Sequence, residues 1–142
     1  MSRRDDLLRA KRGRETDTVQ AILSFLRLHR IPAWRMNTGA TKIGSRFIRF
    51  GSPGMADVIG IVPCCKDGTV MEAGRLAGYG SFVLGNPVGR FLAIEVKSAK
   101  GKVSDAQYAF AKTVTDAGGL CVLARSVDDV ARALSLPTSG QP

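Results

Sequence analysis

A chain of 142 residues, 44% hydrophobic and 23% charged, is enough for one ordinary globular domain and excludes a fibre or a multidomain assembly. No apolar run approaches the roughly 18 residues of a membrane span, and the opening MSRRDDLLRAKRGRE holds no apolar stretch of the kind a secretory signal needs. With 21 Lys and Arg against 12 Asp and Glu, the net charge of +9 calls for a polyanionic partner, nucleic acid ahead of a membrane surface. Three cysteines, with Cys64 and Cys65 adjacent, suggest no disulfide framework, and the single histidine, His29, fits a Cys/His zinc cluster poorly. A reducing, cytoplasmic setting is expected.

Residues 1–13 are expected as a basic flexible arm, 14–135 as the folded domain and 136–142 as a disordered tail. From Glu15 to Arg30, Val19, Ile22, Leu23 and Leu26 recur at helical spacing, and Glu15 projects from the same inward stripe. Pro32 ends that helix. Ala33-Trp34-Arg35-Met36 reads as a short strand with Trp34 in the core, and Arg46–Phe50 alternates as a second strand. Residues 37–46, with Gly39, Gly44 and several hydroxyls, read as a flexible stretch whose backbone amides could approach a phosphate, although the spacing is not that of a Walker A loop. After the turn cluster Gly51-Ser52-Pro53-Gly54, residues 57–62 form a strand buried on both faces. Gly54 supplies the backbone turn that places Asp57.

Residues 64–89 are glycine-rich and read as a hairpin or lid-like excursion, with Glu72 exposed in it. Residues 91–97 are the most legible strand. Ser104 opens a helix running to about Ala117, stopped by Gly118-Gly119, and residues 120–124 form another apolar strand. Ser126 caps a last short helix carrying Val127, Val130, Ala131 and Leu134. Strands and helices interleave without repeat, so the expected fold class is α/β: a central mixed β-sheet flanked by α-helices in a single compact domain. His29 is assigned to the dipole at its helix C-terminus, and Cys64, Cys65 and Cys121 to small buried hydrophobes or loop thiols.

Basic residues gather in three groups. Arg3, Arg4, Arg9, Lys11, Arg12 and Arg14 come first, and Lys97, Lys100 and Lys102 come last. Between them, no acidic residue separates Asp17 from Asp57, while Arg27, Arg30, Arg35, Lys42, Arg46 and Arg49 all fall in that window. One such group alone reads as a solvated face; three with a long acid-free window shift the reading toward phosphate contacts. The candidates are Arg35, Asn37, Lys42, Arg46, Arg49, Lys100 and Lys102.

Glu95 and Lys97 stand two apart on a strand and share a face, opposite Leu92, Ile94 and Val96. Charges at the end of an apolar central strand are costly unless paired or holding a ligand. Asp57 poses the same problem on its own strand. Were the two strands neighbours, Asp57, Glu95 and the Val96 carbonyl would converge as a hard oxygen set suited to Mg2+ or Mn2+. Lys97 would then position water or stabilise charge on a phosphate, rather than act as a simple base.

Together with Glu15 on the first helix, the strings Trp34-Arg35-Met36-Asn37-Thr38-Gly39, Gly54-Met55-Ala56-Asp57 and Ile94-Glu95-Val96-Lys97-Ser98-Ala99-Lys100-Gly101, followed by Ser104 and Gln107, resemble the PD-(D/E)xK nuclease superfamily. Within it they are most similar to the virus-type replication-repair nuclease (VRR-NUC) family, over about Lys11 to Leu134. The resemblance implies a restriction-endonuclease-like fold with Asp57 and Glu95 as metal ligands and Lys97 as the catalytic lysine. Glu15 would be an outer acid acting through water or on a second ion, and Gln107 would reach the active centre or the DNA. It further implies Mg2+- or Mn2+-dependent phosphodiester cleavage leaving 5′-phosphates, structure-selective action on Holliday junctions or flaps in phage or bacterial replication and repair, and a homodimer. The stretch between Asp57 and Glu95 is longer than a minimal hairpin of that family.

Three other readings remain at this stage: a non-catalytic nucleic-acid-binding module, a sequence-specific endonuclease on the same fold, and a structural subunit docked through the glycine-rich segment. Gln107 also has two readings, because Ser104-Asp105-Ala106-Gln107 is a capping box.

Overall fold

The computed structural model describes residues 3–37, 39–64 and 88–138, and before Arg14 the backbone alone. Its first element, α1 (Arg3–Leu28), starts well ahead of Glu15, so the segment assigned by composition to an arm is helical backbone from Arg3. Four strands form a mixed sheet in the order β1 (Ala33–Arg35), β4 (Val58–Cys64), β5 (Val88–Val96), β6 (Leu120–Ala124). β4 runs antiparallel to both β1 and β5, and β6 is parallel to β5. That parallel step is crossed by α2 (Asp105–Asp116), as a parallel connection requires. A final helix, α3 (Val127–Leu134), follows β6. Among the described residues no helix is long and apolar enough to cross a membrane.

Between β1 and β4 the chain departs from expectation. Residues 39–43 are no loose phosphate loop: β2 (Gly39–Ile43) pairs antiparallel with β3 (Arg46–Phe50) as a separate two-stranded hairpin. Gly44, at φ 61°, opens its two-residue turn, the position where glycine matches the twist of the flanking strands. The excursion placed at 64–89 lies outside the described residues from 65 to 87, with Cys65 and Glu72 in it. Its two ends are ordinary rungs, Cys64 opposite Val88 and Pro63 opposite Gly89.

The sheet divides the apolar residues by alternation. Leu92, Ile94 and Val96 face α1 and α3, joining Val19, Ile22, Leu26, Val58, Val62, Val130 and Leu134 in the main core. Leu136 packs there too, beyond the expected end of the domain. The opposite face, toward α2, is thin: Ala56, Ala93 and Val114 are its buried apolar residues, with Phe110 and Cys121 against them. Each fully buried Leu, Ile or Val of the main core contributes about 1.5–3 kcal/mol. Alanines contribute far less, and their small volume leaves room on that face for Glu95 and its partners.

All three helices end the same way. Ile31 N–H bonds Leu26 C=O at 2.9 Å and Arg30 N–H bonds Arg27 C=O at 3.0 Å, with Arg30 left-handed at φ 54°. Gly119 and Gly118 repeat the pattern after α2, and Leu136 and Ser135 after α3. This is the Schellman stop, in which an apolar residue past the cap folds back on the last turn. Only α2 uses the glycine it favours. At α1, the His29 ring packs on Phe25 with centroids 4.5 Å apart, so its surroundings include an aromatic contact and not the dipole alone. At the start of α3, Ser126 is the N-cap as expected, and Asp129 closes its capping box, taking the Arg125 and Ser126 N–H groups at 2.9 and 3.2 Å.

Candidate active site

The C-terminal end of β5 brings Glu15, Asp57 and Glu95 together. β4 begins at Val58, opposite Ile94, so one step outward in the register sets Asp57 against Glu95. With the ladder ended there, the Val96 N–H has no strand partner on that edge, and Asp57 Oδ2 accepts it at 2.8 Å. Lys97 N–H turns the other way, to Ala124 C=O at 2.9 Å. Ser98 N–H returns to the first edge, where Glu15 Oε1 accepts it at 3.1 Å. Two carboxylates thus replace the missing strand. In extended backbone a residue's carbonyl leaves on the same edge as its N–H, so the Val96 carbonyl belongs to this edge as well. Asp57 C=O in turn accepts the Met36 N–H at 2.7 Å, tying in β1.

Glu95, only 8% exposed, is the buried charge of the domain's thin face. Lys97 Nζ lies 2.9 Å from its Oε1, and Gln107 Nε2 donates to the same oxygen. Gln107 closes the capping box and also contacts Glu95. Its Oε1 accepts the Ser104 N–H at 2.9 Å, and its other end reaches Glu95. The helix cap therefore orients the amide. Gly54, at φ 80°, lets the loop before Asp57 lie against the first turn of α2: a Cβ there would collide with the Ala106 carbonyl and stand 2.9 Å from Gln107 N.

Burial pushes the Asp57 carboxyl above its usual range, and the Glu15 charge adds to this, while the Val96 N–H, Lys97 and Arg35 pull it back. Glu95 is likewise raised, first by burial, with Asp57 and Glu15 repelling it and Lys97 opposing them. Three acids therefore sit within each other's fields beside one lysine, a balance that a cation would relieve. Among the described residues no three His, Cys, Asp or Glu side chains are close enough to grip one ion together. The oxygens this edge could offer a cation are those of Asp57 and Glu95 with the Val96 carbonyl, and Glu15 sits on the next N–H along the same edge, that of Ser98. That set fits Mg2+, which keeps several waters and takes one or two carboxylates. The hydrogen bonds on these acids use Asp57 Oδ2, Glu95 Oε1 and Glu15 Oε1, one oxygen of each.

The basic candidates are carried on separate elements. Arg35 is exposed on β1 and close enough to act on Asp57. Asn37 is exposed beside it, and Lys100 and Lys102 are exposed on the turn between β5 and α2, where Arg125 Nη2 braces the Gly101 carbonyl at 3.0 Å. On the hairpin, the register puts Lys42, Phe47 and Arg49 on one face; Arg46 falls on the other, with Ile43, Ile48 and Phe50. A hollow of about 390 Å3 at the hairpin base joins Arg49 to the Gly51–Gly54 loop leading to Asp57.

Arg125, whose side chain donates to the Gly101 carbonyl, was not singled out in the sequence, and Ser98, quoted only within a longer string, takes part through its backbone N–H. Trp34, expected in the core, is 53% exposed. Comparisons of the chain with protein-family models, curated proteins and solved structures return no match.

Proposed function

We propose that this chain is a metal-dependent DNA nuclease resembling the VRR-NUC branch of the PD-(D/E)xK superfamily, with a restriction-endonuclease-like fold. The observation that carries the reading is the joining of Asp57 to the end of β5 through the Val96 N–H, beside a Glu95 that holds both Lys97 and Gln107. A structural role alone gives little reason to bury mutually repelling acids at the open end of a sheet in a chain of net charge +9.

Asp57, Glu95 and the Val96 carbonyl would hold Mg2+ or Mn2+, with Glu15 acting through water. Bound there, the ion would offset charge developing on a scissile phosphate and acidify an attacking water. Lys97, steadied by its ion pair with Glu95, is suited to donate to a phosphate oxygen as the phosphorus becomes five-coordinate. Gln107 is a positioning residue: its donation fixes the Glu95 rotamer, and the Ser104 cap fixes Gln107. Arg35, Asn37, Lys42, Arg49, Lys100 and Lys102 would bind the backbone with little sequence preference. Selectivity for junctions or flaps would then come from the spacing of two sites in a homodimer.

The experiment is cleavage of labelled junction, flap, nicked and linear DNAs with Mg2+, Mn2+ or EDTA, beside a Lys97→Ala control. Metal-dependent cutting that the control lacks is expected. Activity surviving EDTA, or undiminished in the control, overturns the reading. A second reading, a binding module without cleavage, is favoured by the exposed Lys42–Phe47–Arg49 face and would show DNA binding with no metal-dependent cutting.

A further inference from the structure

We infer that the groove between the end of α1 and the edge strand β1 is a path for single-stranded nucleic acid, with Trp34 as a stacking platform and Arg27, Arg30 and Arg35 on phosphates. The inference rests on the nuclease reading and names the form in which the substrate reaches the site.

The groove has a volume of about 540 Å3, and its lining includes Leu23, these three arginines and Trp34. A tryptophan is the largest apolar side chain, yet 53% of this one is left to water on a strand of three residues. The surrounding window, residues 18–56, has no acidic residue. Among the described residues none of the three arginines joins an ion pair; the pairs recorded are Lys97–Glu95, Lys112–Asp116 and Arg132–Asp129. Arg30 occupies the left-handed position of the α1 stop, where glycine would cost less, so the guanidinium is carried at a backbone cost.

Guanidinium groups flanking an exposed ring match a strand with splayed bases: phosphates meet the arginines while a base lies on the indole. A duplex keeps its base faces stacked inside and cannot offer one to Trp34. The groove also leads to the candidate site. Arg35 acts on Asp57, and the next residue, Met36, donates its N–H to the Asp57 carbonyl at 2.7 Å. A strand lying along Arg27, Arg30 and Arg35 would therefore arrive at the carboxylates, as the unpaired part of a flap or opened junction would.

Trp34 is the only tryptophan in the chain, so its fluorescence reports on the groove alone. The test titrates the full chain, in EDTA, with oligothymidylate and separately with a blunt duplex of equal length, following both fluorescence and the anisotropy of labelled DNA. Oligothymidylate should quench the emission with the same midpoint as the anisotropy. Trp34→Ala should weaken single-strand binding roughly tenfold or more, and Trp34→Phe should restore most of it. Arg27→Ala and Arg30→Ala should each lower the salt dependence by about 0.7 in log–log slope. Oligothymidylate binding without quenching, Trp34→Ala binding as tightly as the wild type, or equal quenching by duplex would overturn the inference. Since the titration reads binding alone, a protein that never cuts can still pass it. Conversely, loss of quenching in a protein that cuts removes only this inference.

Discussion

The end of β5 and the β2–β3 hairpin show two ways of presenting charge. At β5, every acid is tied to backbone or to a partner: Asp57 to Val96 N–H, Glu15 to Ser98 N–H, Glu95 to Lys97 and Gln107. On the hairpin all ten strand residues are exposed, with Lys42 and Arg49 flanking Phe47 on one face. A two-stranded ribbon gains little stability of its own. Under the proposed function this would be a division of labour: reaction geometry fixed by the sheet, and polyanion contact carried on an element with no core beneath it.

Substitutions at the two regions should therefore separate turnover from affinity. Asp57→Asn and Lys97→Ala should each lower cleavage by roughly 100-fold to 1,000-fold, with DNA affinity changed less than about twofold. Lys42→Ala and Arg49→Ala should do the reverse. Each should lower the salt slope of duplex binding by about 0.9 and leave turnover at saturating DNA near the wild-type rate. Single-turnover assays paired with gel shifts would check both arms, and a loss of turnover in the hairpin variants would break the division.

Gly54→Ala probes how the Asp57 loop is seated on α2. The left-handed backbone and the collision with the Ala106 carbonyl should cost about 2 kcal/mol or more in urea unfolding. Cleavage should fall further than the unfolded fraction explains, because Gln107 moves with that turn. Arg30→Gly is a smaller effect of opposite sign: relief of the left-handed arginine should stabilise the fold by up to about 1 kcal/mol. The smallest effect concerns pH. Asp57 and Glu95 have folded values raised above 3.8 and 4.5, so the native state binds protons the unfolded chain does not. Their contribution to metal-free stability should therefore fall as pH rises from those ordinary values through the raised ones. Asp129, lowered mainly by the Arg125 N–H, works the other way, losing its stabilisation as pH falls. Melting curves of wild type against an Asp57→Asn, Glu95→Gln double variant isolate the first pair, since Asp129 is common to both.

Periodicity made much of this legible. The inward stripe Val19, Ile22, Leu26 packs as its spacing suggests, and the alternation on β5 does put Glu95 and Lys97 opposite Leu92, Ile94 and Val96. Asp57, Glu95 and Lys97, singled out by strand pattern, and Glu15 and Gln107, singled out through the family resemblance, gather at one end of the sheet. What escaped depends on things outside a local pattern. Trp34 is apolar, which favours a core, but a three-residue edge strand offers no second layer to cover it. Residues 39–43 look like a loop because glycine and hydroxyl residues dominate, and only the two-residue turn at Gly44-Ser45 draws them into a strand. The bounds of α1 were missed, since it begins at Arg3 and stops at Leu28 with Arg30 in the left-handed position glycine would favour, whereas α3 spans Val127–Leu134 as its pattern suggests.

The most direct test is titration calorimetry of Mn2+ into the DNA-free protein, wild type beside Asp57→Asn and Glu95→Gln. Saturable binding in the wild type, lost or weakened at least tenfold in both variants, is expected. Identical titrations in all three proteins would contradict the claim that these two carboxylates share an ion.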